Sequence, residues 1–237
     1  MNPLLGSVTA MFPCYNDAAT IVDMVARADA ALTLLGVPYE IVVVDDGSGD
    51  DSRLRLEAAR AHYPSLKLVF HERNRGYGGA LRSGFAAATS EWVFYTDGDG
   101  QYDPGELTAL AAAVTPDIDV VNGFKIARQD SMLRKVVGRL YRSVAVFMFG
   151  LPIRDIDCDF RLMRRDLVQK AQLSYDSGII CVELVKKLER QGARFKEIPV
   201  HHFARLHGQS QFFRFPRLVR TGRDYLKFWL RTFVFSR

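Results

Sequence analysis

Cysteine and histidine are scarce in this 237-residue chain, and neither residue type forms a cluster. Cys14, Cys158 and Cys181 are odd in number and lack the paired spacing of zinc ligands, which argues against a disulfide framework and against a cysteine-based metal site. We therefore expect free, buried thiols in a reducing compartment. His201 and His202 are adjacent and would point to opposite faces of a strand, so they are not expected to share a ligand.

Long apolar runs are missing as well. The chain has no stretch of about 18 uncharged apolar residues, which a membrane-spanning helix requires, and no secretory signal at its start. We expect a cytoplasmic protein, peripherally attached to the cytoplasmic face of a membrane. Hydrophobic residues make up 48% of the chain and charged residues 25%, a composition typical of one large globular domain or of a domain with an appendage.

Acidic residues are also rare near the C-terminus. From His201 to Arg237 the chain has eight Lys or Arg residues and one acid, Asp224, so this segment carries more positive charge than the whole chain, whose net charge is +5. Such a segment predicts an anionic partner, either phosphate, nucleic acid or acidic lipid. No nucleic-acid recognition motif accompanies the charge, and we do not expect nucleic acid as a partner.

Strand and helix patterns alternate through the first half of the chain, which predicts an α/β fold with a mostly parallel sheet flanked by helices. The predicted strands are residues 8–13, 39–46, 66–71, 92–97 and 119–124, and the predicted helices are 17–35, 50–62, 80–88 and one that begins at Pro104. Ligands of such sheets bind beyond the carboxyl ends of the strands. The polar residues that follow the strands are therefore expected to form one site.

The second half of the chain is less regular. It predicts a helix over 179–191 and an edge strand over 195–203, which contains Pro199. Two further helices, 131–149 and one from Pro216 onward, are amphipathic and basic, with bulky aromatics and almost no acids. This composition is typical of helices that lie on an anionic membrane surface, although a core face opposite a solvated face is the alternative. The predicted apolar side of the last helix consists of Leu218, Val219, Leu226, Trp229, Leu230 and Phe233.

The segment that follows the fourth predicted strand is the most informative part of the sequence. An apolar run ends in Asp97-Gly98-Asp99, followed by Gly100 and Gln101. Residues two apart point to the same side of an extended chain, so the two carboxylates can converge, and glycines allow a close approach to a ligand. Paired carboxylates are hard oxygen ligands suited to Mg²⁺ or Mn²⁺ that also holds phosphate. A simple Asp–Gly turn is the alternative.

Other strand ends carry complementary groups. Asp45 and Asp46 follow the second strand and can accept hydrogen bonds from a nucleobase or a ribose, and the glycine-rich turn at 74–80 opens a helix and offers amides to phosphate. Together these features predict a nucleoside-diphosphate site. A dinucleotide-binding domain is disfavoured because the turn after the first strand has no glycine, and the phosphate-loop pattern of nucleotide triphosphatases is absent.

Six motifs in this order make the chain resemble the family 2 glycosyltransferases of the GT-A fold, and among them the polyprenyl-phosphate sugar synthases typified by dolichol-phosphate mannose synthase. The resemblance covers roughly residues 7–211, so we expect a GT-A catalytic domain over 1–211 and a basic amphipathic C-terminal helix over 212–237. The motifs are Pro13-x-Tyr15-Asn16, Val44-Asp45-Asp46-Gly47-Ser48, Asn74-x-Gly76 with Gly84, Asp97-x-Asp99-x-Gln101, Asp155-x-x-x-x-Phe160-Arg161 and Arg205-x-x-Gly208-x-Ser210.

The resemblance implies an inverting, metal-dependent transfer of a hexose from a nucleotide sugar, of the GDP-mannose or UDP-glucose type, to polyprenyl phosphate. It implies that the metal, Mg²⁺ or Mn²⁺, and the diphosphate are held by Asp97, Asp99 and Gln101. The nucleotide sugar would contact Pro13, Tyr15, Asn16, Asp45, Asp46, Asn74, Gly76, Asp97 and Gly98. The acceptor phosphate would contact Arg161, Arg205 and Ser210, and the residues expected to take part in catalysis are Asp99, Asp155, Asp157, Asp159 and Arg161.

Two departures from the family pattern concern the acceptor. Where the synthases read Ser-Gly before Phe-Arg, this chain has Cys158 and Asp159, and where they have a lysine it has Gln211. A lipid phosphate is already anionic and needs no strong general base, whereas a sugar hydroxyl needs a carboxylate to take its proton. Transfer to a glycan or small-molecule hydroxyl, with Asp155, Asp157 or Asp159 as base, therefore stays as the alternative. A non-catalytic nucleotide-sugar-binding membrane scaffold is a further alternative, which the intact metal motif disfavours.

Overall fold

Seven strands form one sheet in the computed structural model of the chain, which describes residues 4–126, 145–205 and 215–234, without the side chains of 215–220. The strands are β1 (Val8–Cys14), β2 (Tyr39–Asp45), β3 (Leu66–Phe70), β4 (Trp92–Thr96), β5 (Val120–Ile126), β6 (Phe160–Arg164) and β7 (Phe195–His201). Their order is β3-β2-β1-β4-β6-β5-β7. All pairs are parallel except those of β6, which runs antiparallel between β4 and β5.

The mostly parallel sheet confirms the predicted fold class. The five predicted strands are present with ends that differ by one or two residues, and β7 is an edge strand as predicted. Strand β6 was not predicted, because its two arginines, Arg161 and Arg164, conceal its apolar character. The helices are α1 (Ile21–Leu35), α2 (Ser52–Ala59), α3 (Tyr77–Ala87), α4 (Leu107–Ala112), α5 (Arg165–Lys170), α6 (Ile180–Arg190) and α7 (Phe215–Trp229), with a 3₁₀ turn at Pro104–Glu106 and a π-helical turn at Leu230–Val234.

Two apolar layers cover the sheet because successive residues of a strand face opposite sides. In β1, Ala10 and Phe12 pack in a cluster that includes residues of α1, α2 and α4, whereas Met11 packs in a second cluster with residues of α3 and α6. All three cysteines are buried and free, as the sequence predicts. This arrangement leaves the carboxyl ends of the strands as the edge at which loops can form a site.

Helix α7 packs against the rest of the domain through a third apolar cluster. Its Tyr225 and Phe228 are buried, and the Phe228 ring stacks on Phe149 with their centroids 5.2 Å apart. The apolar side predicted from the sequence is only partly the buried one, since Trp229 packs against this cluster, whereas Leu226 is 56% exposed and Phe233 is 45% exposed. Of the predicted helix over 131–149, residues 145–149 are helical, and the others lie outside the described residues. Within the described part of the chain, we find no helix with the length and apolar character needed to cross a bilayer.

Candidate active site

Three neighbouring parallel strands, β2, β1 and β4, end at the same edge of the sheet. Their register aligns Cys14, the last residue of β1, with Asp45, the last residue of β2. Asn16 then joins the loops that follow these two strands, because its side-chain oxygen accepts from the Gly49 amide at 2.8 Å and its own amide donates to Ser48 Oγ at 3.0 Å. The structure thus brings the predicted strand-end residues together at one edge.

The Asp97-Gly98-Asp99 turn is held by contacts between Gly98 and residues of the loop and strand around β1. Thr20 Oγ1 donates to the Gly98 carbonyl at 2.8 Å, and a Cβ atom added to Gly98 would lie 2.8 Å from the Pro13 carbonyl oxygen. No larger side chain fits at this position, so Pro13 contributes its backbone to the site by supporting the turn. Asp99 is only 7% exposed, unlike the acids of an ordinary surface turn.

Asp97 occupies a strongly acidic environment. Desolvation, followed by the negative charges of Asp159 and Asp99, raises the pKa of its carboxyl well above the ordinary value. Tyr77, at the start of α3, donates its hydroxyl to Asp97 Oδ1 at 2.8 Å and works in the opposite direction. The charged form of a desolvated carboxylate beside two other carboxylates would be stabilised by a bound cation.

In this structure the cation beside Asp99 is a guanidinium. Arg205 Nη2 donates to Asp99 Oδ2, and the Gln101 amide donates to Asp99 Oδ1 at 3.0 Å. Gln101 and Phe203 exchange two further bonds, from Gln101 Nε2 to the Phe203 carbonyl at 3.1 Å and from the Phe203 amide to the Gln101 carbonyl at 2.9 Å. Arg205, predicted to bind the acceptor phosphate, therefore lies against the predicted metal ligands. Ser210 lies outside the described residues.

The two acids at the end of β2, Asp45 and Asp46, have different environments. The Asp46 carboxylate accepts from the amides of Arg75 and Gly76 at 2.8 and 3.0 Å and lies 2.6 Å from His71 Nδ1, so it shapes the glycine-rich turn. Asp45 is 2% exposed, and its Oδ1 has no hydrogen-bond partner among the described residues. Asp45 is thus the acid with unused acceptor capacity, which makes it the better candidate for a nucleoside contact.

The glycine-rich turn uses its amides within the protein. Besides the bonds to Asp46, the Gly76 amide also donates to Asn74 Oδ1 at 3.1 Å, and the Gly78 amide donates to the Asp176 carbonyl at 3.0 Å. Gly76 has φ +85°, and a Cβ there would lie 2.6 Å from the Asp176 carbonyl oxygen. The amides of Arg75, Gly76 and Gly78 therefore already have acceptors, and contact of Asn74 and Gly76 with the nucleotide sugar stays a prediction.

Arg161, which the resemblance assigns to the acceptor phosphate, lies in the core and not on an open surface. It is 0% exposed, and it donates to Asn122 Oδ1, the Tyr95 hydroxyl, Asp159 Oδ1 and the Ile156 carbonyl. These bonds join β4, β5 and the loop before β6. In this conformation Arg161 holds the acidic loop in place, and a direct bond to the acceptor phosphate would require it to give up these partners.

The three candidate bases are separated by the structure. Asp155 is 2% exposed and accepts from the Lys125 amide at 3.0 Å, while the Asp157 carbonyl accepts from Lys125 Nζ, so this part of the loop anchors the end of β5. Asp159 differs, because its charge acts on Asp97. Its Oδ1 accepts from the Tyr95 hydroxyl at 2.9 Å and from Cys181 Sγ at 3.2 Å.

Two residues near the site were not identified from the sequence. Tyr77 lies within the glycine-rich turn, where only the glycines and Asn74 attracted attention. Asp17 was taken as the start of a helix, but α1 begins at Ile21, and Asp17 instead accepts from the Tyr15 amide at 3.2 Å. Desolvation, with the charge of Asp99 contributing, raises the pKa of Asp17 to about 6. Its position directly after the Tyr15-Asn16 motif was the signal that could have revealed it.

Comparison with known proteins agrees with the strand-end geometry. Residues 9–171 match the model of the family described as Glycosyl transferase family 2. The undecaprenyl-phosphate 4-deoxy-4-formamido-L-arabinose transferase of Klebsiella pneumoniae subsp. pneumoniae is 32% identical over 223 residues, which cover 94% of this chain and 67% of that protein. The transferase of the same description from Enterobacter sp. is 33% identical over 219 residues, with 92% and 65% covered. The chain thus spans about two thirds of the length of these relatives.

Solved glycosyltransferase structures share the fold. The glucosyl-3-phosphoglycerate synthase of Mycobacterium tuberculosis, in complex with Mn²⁺, UDP and phosphoglyceric acid, superposes with a TM-score of 0.70 at 19% identity, covering 95% of this chain and 78% of that one. The mannosyltransferase PcManGT of Pyrobaculum calidifontis, in complex with GDP-Man and Mn²⁺, gives 0.66 at 22% identity, with 93% and 64% covered. With the family match over most of its length, the chain belongs to glycosyl transferase family 2 and is a glycosyltransferase with the GT-A fold.

Proposed function

We propose that this enzyme transfers a sugar from a nucleoside-diphosphate sugar to polyprenyl phosphate, with inversion at the anomeric carbon. The observation that carries the proposal is the group of acids at the carboxyl edge of β2, β1 and β4, where the charges of Asp99 and Asp159 act on Asp97 and the buried Asp45 ends β2. The acceptor class is supported by the two relatives described above, which are undecaprenyl-phosphate sugar transferases.

The donor would bind across this edge with its nucleoside at β2 and its diphosphate at β4. Asp45 Oδ1 would accept a hydrogen bond from a base N–H or a ribose hydroxyl, since it is buried and unpaired among the described residues. Asp97 and Asp99 would face the diphosphate. The two carboxylates and the diphosphate are all negatively charged, so Asp97 and Asp99 can bind the diphosphate only through a cation.

The residues present fit Mg²⁺ or Mn²⁺. Among the described residues, no three or more His, Cys, Asp or Glu side chains are grouped as a metal site. The protein would therefore contribute two carboxylates, those of Asp97 and Asp99, with Gln101 close by. Magnesium sites with one or two carboxylates are completed by substrate phosphates and water. When bound, the ion would act as a Lewis acid that stabilises the negative charge on the departing diphosphate.

Transfer to a lipid phosphate needs little proton chemistry. A phosphate oxygen forms the new bond to the anomeric carbon, and the bond from that carbon to the diphosphate breaks, with its electron pair leaving on the nucleoside diphosphate. Arg205, which pairs with Asp99 here, would be the nearest cation for the acceptor phosphate. Asp155 and Arg161 would keep the loop before β6 in position.

A hydroxyl acceptor is the second candidate, and Asp159 is the observation that favours it. Its carboxylate is 15% exposed, and all three hydrogen bonds that it accepts within the described part of the chain fall on Oδ1. Oδ2 is thus the oxygen that could take a proton from a sugar hydroxyl. In the lipid-phosphate reaction the same charge would oppose an anionic acceptor.

We also propose that helix α7 places the enzyme on the anionic cytoplasmic face of a membrane. The outer side of this helix and of the π-helical turn that follows it presents apolar and basic residues together, namely Arg223, Leu226, Lys227, Leu230 and Arg231. Exposed apolar area next to basic residues is typical of helices in the headgroup layer. The double variant Arg223→Glu/Lys227→Glu should bind phosphatidylserine vesicles at least about tenfold more weakly, at about 1 kcal/mol for each basic residue. Lys170→Glu, an exposed control on α5, should bind normally.

A radiolabel experiment separates the two acceptor classes. The enzyme is incubated with a labelled nucleotide sugar, Mn²⁺, undecaprenyl phosphate and a water-soluble glycan, and the products are partitioned between organic solvent and water. Label in the organic phase, dependent on the lipid and absent for Asp99→Asn, supports the proposal. Label found only in water-soluble glycan, and lost in Asp159→Asn, would overturn it in favour of the hydroxyl acceptor.

A further inference from the structure

A short segment between α5 and α6, residues 174–177, contacts both the C-terminal helix and the glycine-rich turn. We name it the bridge segment. Helix α7 and the glycine-rich turn at 74–80 are far apart in sequence, and the bridge segment is the described part of the chain that bonds to both of them. Its contacts determine whether the position of α7 affects the donor site.

The first contact is to helix α7. Ser177 Oγ donates to Asp224 Oδ2 at 2.7 Å, and the ring of Tyr175 meets that of Phe228 edge-on with centroids 5.7 Å apart. Asp224 is the single acid from His201 to Arg237, yet it is only 8% exposed. A helix that needed acid only for solubility would expose it, so the burial of Asp224 marks a specific docking contact.

The second contact is to the glycine-rich turn, and it leaves no space between the two backbones. The Asp176 carbonyl accepts from the Gly78 amide at 3.0 Å, and Arg82 forms an ion pair with the Asp176 carboxylate. A Cβ atom at Gly76 would lie 2.6 Å from the Asp176 carbonyl oxygen, and one at Gly78 would overlap the Tyr175 carbonyl. Movement of residues 175 and 176 would therefore displace the turn.

A buried acid holds the first two residues of the bridge segment in place. Glu183, which is 1% exposed, accepts from the amides of Ser174 and Tyr175 and from Ser174 Oγ at distances of 2.8 to 3.2 Å. Both of its oxygens are used in these bonds. A rigid segment transmits a displacement, whereas a flexible one would absorb it.

The turn reaches the active site through Tyr77, which lies between the two packed glycines. Its hydroxyl donates to Asp97 Oδ1 at 2.8 Å. We propose that Tyr77 is a positioning residue for Asp97, and that docking of α7 sets the place of Tyr77 through the bridge segment. This inference rests on the proposed role of Asp97 in holding the metal and diphosphate. Mn²⁺ and donor affinity would then depend on whether α7 is docked.

The experiment measures Mn²⁺ binding without donor or turnover, by the electron paramagnetic resonance signal of free Mn²⁺, in the full-length protein. The variants are Tyr77→Phe, Ser177→Ala and the double variant. Loss of one hydrogen bond predicts a Kd about fivefold higher for Tyr77→Phe and a smaller rise, about twofold, for Ser177→Ala. The double variant should bind more tightly than the product of the two effects predicts, because the two residues act in one path. Asp224→Asn keeps an acceptor for Ser177 and should bind Mn²⁺ almost normally.

Tyr39→Phe is the matched control, since the Tyr39 hydroxyl donates to Asp29 Oδ1 at the same 2.8 Å on a different part of the domain. It should lower stability by a similar amount and leave the Mn²⁺ Kd unchanged. An unchanged Kd for folded Ser177→Ala, or a strictly multiplicative double variant, would overturn the coupling to α7. An unchanged Kd for Tyr77→Phe would overturn the positioning role.

Failure of the proposed function gives a different result. If the wild-type protein binds no Mn²⁺, the metal role of Asp97 is wrong, and amide hydrogen exchange then tests the path alone. Faster exchange of peptides covering 76–80 in Ser177→Ala supports transmission through the bridge segment. Faster exchange confined to 174–177 and α7 overturns it.

Discussion

Glu40 and Asp97 are acidic side chains at opposite ends of the same parallel sheet. Burial alone would raise the pKa of Glu40, but the ion pair with Lys67 and hydrogen bonds from Thr9 and Thr89 outweigh it and lower the pKa to about 2. Within the described part of the chain, Asp97 accepts from Tyr77, and this bond and the charge of Arg205 oppose desolvation and two neighbouring acids, which raise its pKa. Donors from the protein stabilise the charge of Glu40, whereas the charge of Asp97 would be stabilised by a bound cation.

This difference distinguishes acids that hold the fold from acids that serve a site. Glu40 joins β1, β2, β3 and the loop before β4 at the amino ends of the strands. At the carboxyl ends, Asp45 has an unpaired oxygen among the described residues, and Asp17 and Asp97 have raised pKa values. Because poorly compensated acidic groups lower stability, their concentration at one edge indicates function.

The largest effect is expected from Asp99→Asn. The substitution keeps the shape of the side chain and removes the charge that would hold a cation, so sugar transfer should fall by at least about 100-fold. The melting temperature should stay within a few degrees of the wild-type value, because a repulsive charge near Asp97 is lost together with the Arg205 pair. Turnover with a labelled donor and thermal unfolding measure the two quantities. Retained transfer would show that the pair is only a turn.

Glu40→Ala should have the opposite profile. Four donor groups at the amino edge, from Thr9, Lys67 and Thr89, would lose their common acceptor. The free energy of unfolding should therefore fall by about 3 kcal/mol. The turnover number of the folded protein should not change, because Glu40 lies at the end of the sheet away from the site. Urea unfolding and single-concentration turnover check this pair of outcomes. If Glu40→Ala lost turnover without losing stability, acids at the amino ends of the strands would not differ in role from those at the carboxyl ends.

The pH dependence of stability should differ in sign between the two ends. The pKa of Glu40 is lowered in the folded state, so its contribution is present above pH 4.5 and is lost as the pH falls toward about 2. The pKa of Asp17 is raised from 3.8 to about 6, so its folded form is favoured when protonated and stability declines as the pH rises through that interval.

Asp17→Asn should therefore be more stable than the wild type at pH 7, by up to about 3 kcal/mol, and the gain should vanish near pH 4. Glu40→Gln should be less stable than the wild type at pH 7, and this deficit should shrink below pH 4. Chemical unfolding at a series of pH values records both curves. Parallel curves for the two variants would contradict the assignment of opposite pKa shifts.

The sequence was sufficient to predict the parallel strands and the Asp97–Asp99 pair, because alternation, apolar runs and strand-end acids are local patterns. It could not show that Asp46 faces the glycine-rich turn while Asp45 keeps an unused oxygen, since that depends on how two loops pack. The burial of Arg161 could not be predicted, because the partners that satisfy its charge come from β4, β5 and the loop before β6. The buried side of α7 depends on Asp224, whose partner Ser177 is distant in sequence.

The central claim is that the acids at the carboxyl edge form the donor site. It is tested most directly by thermal unfolding of the wild type, Asp97→Asn and Glu40→Gln with Mn²⁺ and either UDP or GDP. A ligand that binds only the folded state raises the melting temperature. We predict that one of the two nucleotides raises it in the wild type and in Glu40→Gln, only when Mn²⁺ is present, and fails to do so in Asp97→Asn. An equal rise in all three proteins, or no rise in any, would contradict the account.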